Sequence, residues 1–245
     1  MSAPQAREQD LIDRLRPLHS NGTFEAHVTV EALNPGEQER FRSVCASLGV
    51  KSVLIELPEG ATRSQPMTSS YHRGSLQAVA GQVADIARSL RKQHFPVTRI
   101  KLEAVVGNTD VPETDEEAQT WPAGNYFEFH VKVSLPVDAD LEPLRVLCRR
   151  HRAHLSSNAF QREGNQTQRF VTLRVYGGGR LRASQQFEFL LTDLERAGYS
   201  LSNRLREYTI YDSNQDIDAG WIDPPVAEAA LDGDGGLDPN SRSEG

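Results

Sequence analysis

The sequence predicts an α+β protein made of two tandem copies of a β-α-β-β-α-β unit, with antiparallel sheets and helices on one face. Three observations predict it. First, Phe24-Glu25-Ala26-His27-Val28-Thr29-Val30 returns 103 residues later as Phe127-Glu128-Phe129-His130-Val131-Lys132-Val133. The same offset pairs Glu39 with Glu142, Arg42 with Arg145 and Cys45 with Cys148, giving eight identities over the 22 positions from Phe24 to Cys45. Self-similarity at a fixed offset points to a duplicated supersecondary unit. Second, each copy alternates period-2 segments with segments of helical period in the same order. Third, 245 residues with 38% hydrophobic content suffice for two units of about 100 residues, or one fused pseudo-dimer, with a packed core.

Taken in order, residues 1–20 carry an amphipathic helix over 6–18, with Leu11, Ile12, Leu15 and Leu18 on one side. The first unit spans 21–108. Thr23–Glu31 alternates as a half-buried strand. Pro35–Leu48 is a helix with Phe41, Val44, Cys45 and Leu48 on one stripe, stopped by Gly49. Strands follow at Lys51–Leu57 and Met67–His72. Ser75 caps a long helix with Leu76, Val79, Ala80, Val83, Ile86, Ala87 and Leu90 inward, and Val97–Val106 closes the unit.

Residues 109–123 form an acidic linker containing Pro112 and Pro122. The second unit, 124–223, repeats the order: a strand at Tyr126–Leu135, a helix at Leu141–His151, strands at His154–Phe160 and Arg169–Tyr176, a helix at Ala183–Ala197, and a strand at Leu205–Tyr211. The Gly-, Asp- and Ser-rich segment 224–245 has no periodicity and reads as a disordered tail. Each unit has the order of a ferredoxin-like sandwich, whose second sheet face the partner unit covers, sheet against sheet or edge to edge.

The net charge of −7 argues against a protein that coats nucleic acid. Its distribution is uneven. Between Pro143 and Arg182 stand nine arginines (145, 149, 150, 152, 162, 169, 174, 180 and 182) and one acid, Glu163; Asp110 to Glu142 holds nine acids and one lysine. That polarity suggests an anionic partner at one place. No run of 18 apolar residues and no signal-peptide pattern occur, so a cytoplasmic protein without membrane contact is the expectation. Two cysteines at matching helix positions read as small buried hydrophobes, not a disulfide or metal framework.

Alternation assigns the chemistry to one face. Phe24, Ala26, Val28 and Val30 pack under helices, so Glu25, His27, Thr29 and Glu31 face the other way. In the second copy Glu128, His130, Lys132 and Ser134 do the same. Lys101, Glu103, Thr172 and Arg174 join them, with His72 near a strand end. Two histidines at one cleft suit general acid and base work, since they titrate near cellular pH. Arg169, Arg174 and Lys132 suit a phosphate. A phosphate-bearing ligand or RNA, or a partner protein, is therefore expected, with no cofactor and no metal.

His27-Val28-Thr29-Val30 resembles the H-x-T-x strand of the 2H phosphoesterases, in which each of two lobes supplies a histidine and a hydroxyl to a central cleft. The resemblance implies metal-independent cleavage of cyclic or 2′,5′ phosphodiesters, often in RNA. His27 and His130 would be the acid and base, with Thr29 on the phosphate; Lys132 stands where the second hydroxyl belongs. Glu128-x-His130-x-Lys132 is also similar to the E-x-E-x-K strand of triphosphate tunnel metalloenzymes, with histidine in place of the second glutamate. The remaining alternative is a non-catalytic module binding a partner protein or nucleotide, with Glu25, Glu128, Arg169, Thr172, Arg174 and Arg180 as contacts.

Two smaller patterns stand apart. Asp212-Ser213-Asn214-Gln215-Asp216-Ile217-Asp218, with Asp223 twelfth, resembles a calcium loop but has Ile217 where the turn needs glycine. Gly177-Gly178-Gly179-Arg180 joins strand to helix and offers amides to an anion.

Overall fold

A computed structural model describes residues 3–18, 20–108, 111–160 and 166–222. The segment 224–245 and Asp223 lie outside the described residues. The elements are α1 (Ala3–Leu15), β1 (Asn21–Val30), α2 (Pro35–Ser47), β2 (Lys51–Glu56), β3 (Ser64–Ser75), α3 (Leu76–Lys92), β4 (Val97–Val105), α4 (Asp115–Ala118), β5 (Tyr126–Pro136), α5 (Glu142–Arg150), β6 (Ala153–Asn158), β7 (Gln166–Tyr176), α6 (Arg180–Arg196) and β8 (Ser200–Asp212), followed by a 3-10 turn, Gln215–Asp218. The fold is mixed α+β, and the order β-α-β-β-α-β occurs from β1 to β4 and again from β5 to β8.

Local chemistry starts and stops these elements where the sequence signals it. Asn34 and Glu37 form a reciprocal capping box at α2, with Pro35 in its first turn. Gly49 at φ 71° ends that helix, a conformation only glycine takes at no steric cost. Ser75 accepts from the Ala78 amide at the start of α3. On α3, Leu76, Val79, Ala80, Val83, Ala87 and Leu90 are at most 1% exposed. Each large apolar side chain so buried contributes about 1.5–3 kcal/mol.

The strands close into one antiparallel barrel in the order β1-β3-β2-β6-β7-β5-β8-β4. Sheet β4-β1-β3-β2 meets sheet β6-β7-β5-β8 at two seams. One is long, with Lys101 opposite Asp212 through Val105 opposite Glu207. The other is only two pairs wide, Ile55 with Asn158 and Glu56 with Ser157. It is strengthened by bonds from the Leu54 amide to the Asn158 side chain (3.3 Å) and from the Ala159 amide to the Leu54 carbonyl (2.8 Å). Of the two expected arrangements, edge-to-edge joining at both ends is the one adopted.

Closure changes what the second sheet face is. The hydrophobic core lies outside the barrel, between the strands and the helices, built on Phe24, Val28, Phe41, Phe127, Phe129 and Phe187, all 0% exposed. The polar face that the helices leave uncovered is the barrel interior: Glu25 is 6% exposed, Lys101 5% and Glu103 0%. Cys45 and Cys148 are buried free thiols, which burial raises to about 12.

The linker is not featureless. Thr114 caps the short helix α4, and the chain before it crosses the start of α6. A Cβ on Gly179 would sit 2.5 Å from the Thr114 carbonyl oxygen, so this crossing requires glycine. Among the described residues, no helix is long and apolar enough to cross a membrane.

Candidate functional site

Because successive side chains on a strand alternate, β1 sends Glu25, His27 and Thr29 into the lumen, each about 6.5–7 Å from the next along the strand. β5 sends Glu128, His130 and Lys132, β4 sends Arg99, Lys101 and Glu103, and β7 sends Phe170, Thr172 and Arg174. Among the described residues, all eight strands contribute to a cavity of about 250 Å³. That is slightly below the roughly 300–1,000 Å³ of drug-sized ligand sites. Its most exposed lining residues are Lys51, Asn203 and Tyr71, the last 53% exposed, so the lumen opens there.

The two histidines line the same lumen and are joined by a chain of charges. His27 Nδ1 donates to the Thr68 carbonyl at 3.2 Å, which directs Nε2 toward Glu103 (3.3 Å) and Glu25 (3.6 Å). Glu103 holds Lys101 at 2.9 Å, Lys101 holds Glu128 at 2.5 Å, and His130 Nε2 donates to Glu128 at 3.1 Å. His130 Nδ1 lies 3.0 Å from the Thr172 hydroxyl. Burial alone would lower the His27 pKa, but Glu25 and Glu103 overcome it and the net shift is upward. The two carboxylates therefore favour the imidazolium form of His27.

Glu128 is the hub. Besides Lys101 and His130 it binds Arg174, whose Nη2 reaches Asp218 at 2.7 Å. Asp218 also binds Arg99 (3.0 Å) and the Gln65 amide (3.0 Å), and Arg99 pairs with Asp212 through two bonds. Burial works to raise the carboxylates, yet Arg174 and Lys101 hold Glu128 well below its ordinary value, and Arg99 holds Asp212 at about 2. The oxygens of Asp212 and Asp218 are therefore committed to arginines, Tyr126 and Gln65, not arranged as a cation loop. Trp221 donates to the Leu155 carbonyl and packs with Leu57 and Ile222, closing the barrel beside Asp218.

A second cluster shares a proton. Burial, and then Glu103 and Glu25, raise Glu207 well above its ordinary value, so it is a neutral acid hydrogen-bonded to Glu25. Burial opposes ionisation of Glu25 too, but His27 with hydrogen bonds from Tyr71, Glu207 and Ser69 brings it to about 2. One carboxyl is thus ionised and its neighbour protonated, the usual outcome for buried acids in contact.

The Thr29 hydroxyl, 1% exposed and facing this lumen, finds no partner among the described residues. An unsatisfied buried hydroxyl costs about 1–3 kcal/mol. Thr29→Val is therefore expected to raise the stability of the unliganded protein by about 1 kcal/mol, read from urea midpoints; a loss of stability would mean that the hydroxyl is satisfied.

Of the residues singled out from sequence, His27, His130, Thr29, Lys132, Glu25, Glu128, Thr172 and Arg174 meet in the lumen. Arg169 and Arg180 do not. Arg169 shares the parity of Val171 and Leu173, points away from the lumen, and bonds Thr167 at 2.6 Å. Arg180 lies outside the barrel on α6 and pairs with Glu113 at 2.6 Å. The glycine run is likewise occupied: the Gly179 amide donates to Asp115 (2.7 Å) and the Arg180 amide to the Pro112 carbonyl. His72 faces α3, bonded to Ser70 and Gln82. Missed were Arg99, Glu207, Ser69 and Tyr71. Arg99 shares the parity of Lys101 and Glu103, and Glu207 has the parity opposite to the core residues Tyr208 and Ile210, so alternation signals both. Asp218 stood out only within the calcium-loop pattern, and nothing local places it in the lumen.

No family model matches the chain, and no curated protein does. Among solved structures it is similar to the acetolactate synthase small subunit from Thermotoga maritima, at 13% identity and a TM-score of 0.30, over 79% of this chain and 97% of that one.

Proposed function

We propose that the barrel interior binds a small ligand carrying a phosphate or carboxylate, without consuming it. The observation that carries this reading is the state of charge along the lumen. Inside, each ionised carboxylate already faces a cation: Glu25 and Glu103 face His27, Glu103 and Glu128 face Lys101, Glu128 and Asp218 face Arg174, and Asp212 and Asp218 face Arg99. At the opening stands Lys51, which makes no ion pair among the described residues, with Lys132 over the Phe170 ring at 5.3 Å. An incoming anion is drawn to that end, and the Thr29 hydroxyl offers a further donor inside. The same repeated element order supports an origin of the barrel by duplication of one ferredoxin-like unit, each half giving one Glu-x-His strand.

Binding should raise the melting temperature by mass action. The test is a thermal-shift panel of phosphomonoesters, phosphodiesters and dicarboxylates, followed by calorimetry of any that shift. The double variant Lys51→Ala, Lys132→Ala is expected to weaken the best ligand at least tenfold. If no member of the panel shifts the wild type, the reading fails.

A second reading, phosphodiester cleavage of the 2H kind, is favoured by His27 and His130 lining one lumen. Against it stands the engagement of both Nε2 atoms with glutamates. Assaying the same panel for products decides between them. Turnover abolished by His27→Ala and by His130→Ala would establish the enzyme; binding without turnover supports the non-catalytic module. For a triphosphate-binding metalloenzyme, Glu128 would have to give up Lys101 and Arg174 to reach a metal.

A further inference from the structure

A second cavity, of about 500 Å³, lies outside the barrel, between the end of α5, strand β7 and helix α6. Its charge is set by the arginine-rich stretch, and the structure divides those arginines sharply. Arg145 and Arg149 face Glu142, Arg180 faces Glu113, Arg182 faces Asp115, Arg174 is in the lumen network, and Arg169 bonds Thr167. Arg162 lies outside the described residues. Arg150 and Arg152 alone among the rest make no ion pair or hydrogen bond through their side chains among the described residues, and both line this cleft. The dipole of α5 favours a cation in its last turn, which accounts for Arg149 and Arg150. It does not account for Arg152, which lies beyond the helix at φ 54°, where a side chain is strained.

The cleft also has an aromatic wall. Phe189 is 60% exposed and lines it, with Tyr176 and the half-buried His151 alongside. Exposed phenylalanine beside unpaired arginines on a protein of net charge −7 is not required by folding or solubility. Arginine forks match phosphate oxygens, and a flat apolar ring matches the face of a nucleobase.

We infer that this outer cleft is a nucleotide site, with Arg150 and Arg152 on phosphate and Phe189 stacked on the base. The ligand is a nucleoside phosphate, free or as one unit of a single strand. Arg182, at 3.2 Å from Asp115, lines the same cleft. The site is separate from the lumen, although Arg174 lies in the wall common to both cavities.

The experiment titrates two probes into the full chain by fluorescence anisotropy at several salt concentrations: a fluorescent adenosine triphosphate analogue and a labelled 12-mer of deoxythymidine. Saturation by the first assigns a free nucleotide, and by the second alone a single strand. In Arg150→Ala, Arg152→Ala, affinity is expected to fall at least tenfold and the salt slope by about one for each arginine. In Phe189→Ala, affinity falls about five- to hundredfold while the salt slope is unchanged. All three side chains are solvent-accessible, so the fold is retained, as circular dichroism will check. Arg204→Ala, whose guanidinium pairs with Glu195 away from both cavities, leaves both affinities unchanged, and Lys51→Ala, Lys132→Ala serves as the lumen variant. The inference is overturned if neither probe saturates below about 1 mM at low salt, or if the lumen variant loses affinity while the cleft variants do not.

Discussion

Glu128→Gln is expected to lower the melting temperature on the order of 10 °C, the largest stability loss of any single polar substitution in the lumen. Glu128 is 3% exposed and accepts from Lys101, Arg174 and His130 together. Glutamine preserves volume but removes the charge, and its amide presents donors to groups that are donors themselves. Removing one member of a buried ion-pair network costs about 3–5 kcal/mol, because the partners stay buried and uncompensated. For a chain of this size, each kcal/mol moves the melting point by about 2–4 °C. The matched control is Glu142→Gln on the surface of α5, where the pairs with Arg145 and Arg149 are exposed and worth about 0–1 kcal/mol. Comparable small shifts in the two variants, read by calorimetry, would show that the lumen charges do not act as a unit.

The second expectation is a stability maximum in mildly acidic solution, with Glu207 controlling the alkaline side. Glu207 has a raised pKa, so the folded protein holds a proton that the unfolded chain releases above about 4.5. Its contribution is fully present below that value and is lost as pH rises toward its folded pKa. One such proton gives a slope of up to about 1.4 kcal/mol per pH unit. His27, also raised, adds to the loss above its ordinary 6.5. Glu25 and Asp212 act oppositely: both are lowered to about 2, so their contribution is present above 4.5 and 3.8 and disappears as pH falls to about 2. Glu207→Gln keeps a neutral donor in the same place and removes the titration. Its stability relative to wild type should therefore increase as pH rises above about 5, measured by urea unfolding. Parallel curves over that range would mean that Glu207 is ionised in the folded state and that no proton is shared with Glu25.

Both expectations concern groups that sequence reading located only in part. The strand Glu25-x-His27-x-Thr29 and its copy Glu128-x-His130-x-Lys132 were legible because a strand sorts its residues by parity, and parity needs no tertiary information. The same rule excludes Arg169, which differs in parity from Arg174 by one register step, and it includes Arg99 and Glu207. Tyr71 and Ser69 were not legible: Ser64–Ser75 is interrupted by Pro66 and alternates poorly, and only pairing with β1 sets Tyr71 opposite Glu25. The arginine-rich stretch was legible as charge, but which arginines remain unpaired depends on where Glu113, Asp115 and Glu142 come to lie.

The local pattern of residues was enough to determine the element order, the helix caps and which side chains leave the helical core, because these follow from periods of 2 and 3.6 within single segments. Closure was decided by tertiary structure alone. It rests on the β4–β8 seam and on two residue pairs between β2 and β6, about 100 positions apart in the chain. Edge pairing is carried by backbone groups that every residue possesses, so side-chain pattern does not reveal which edges meet. Closing those edges converts a solvated polar face into a buried lumen. There, low dielectric strengthens each ion pair and makes each unpaired group costly, and surface-type residues become one coupled network.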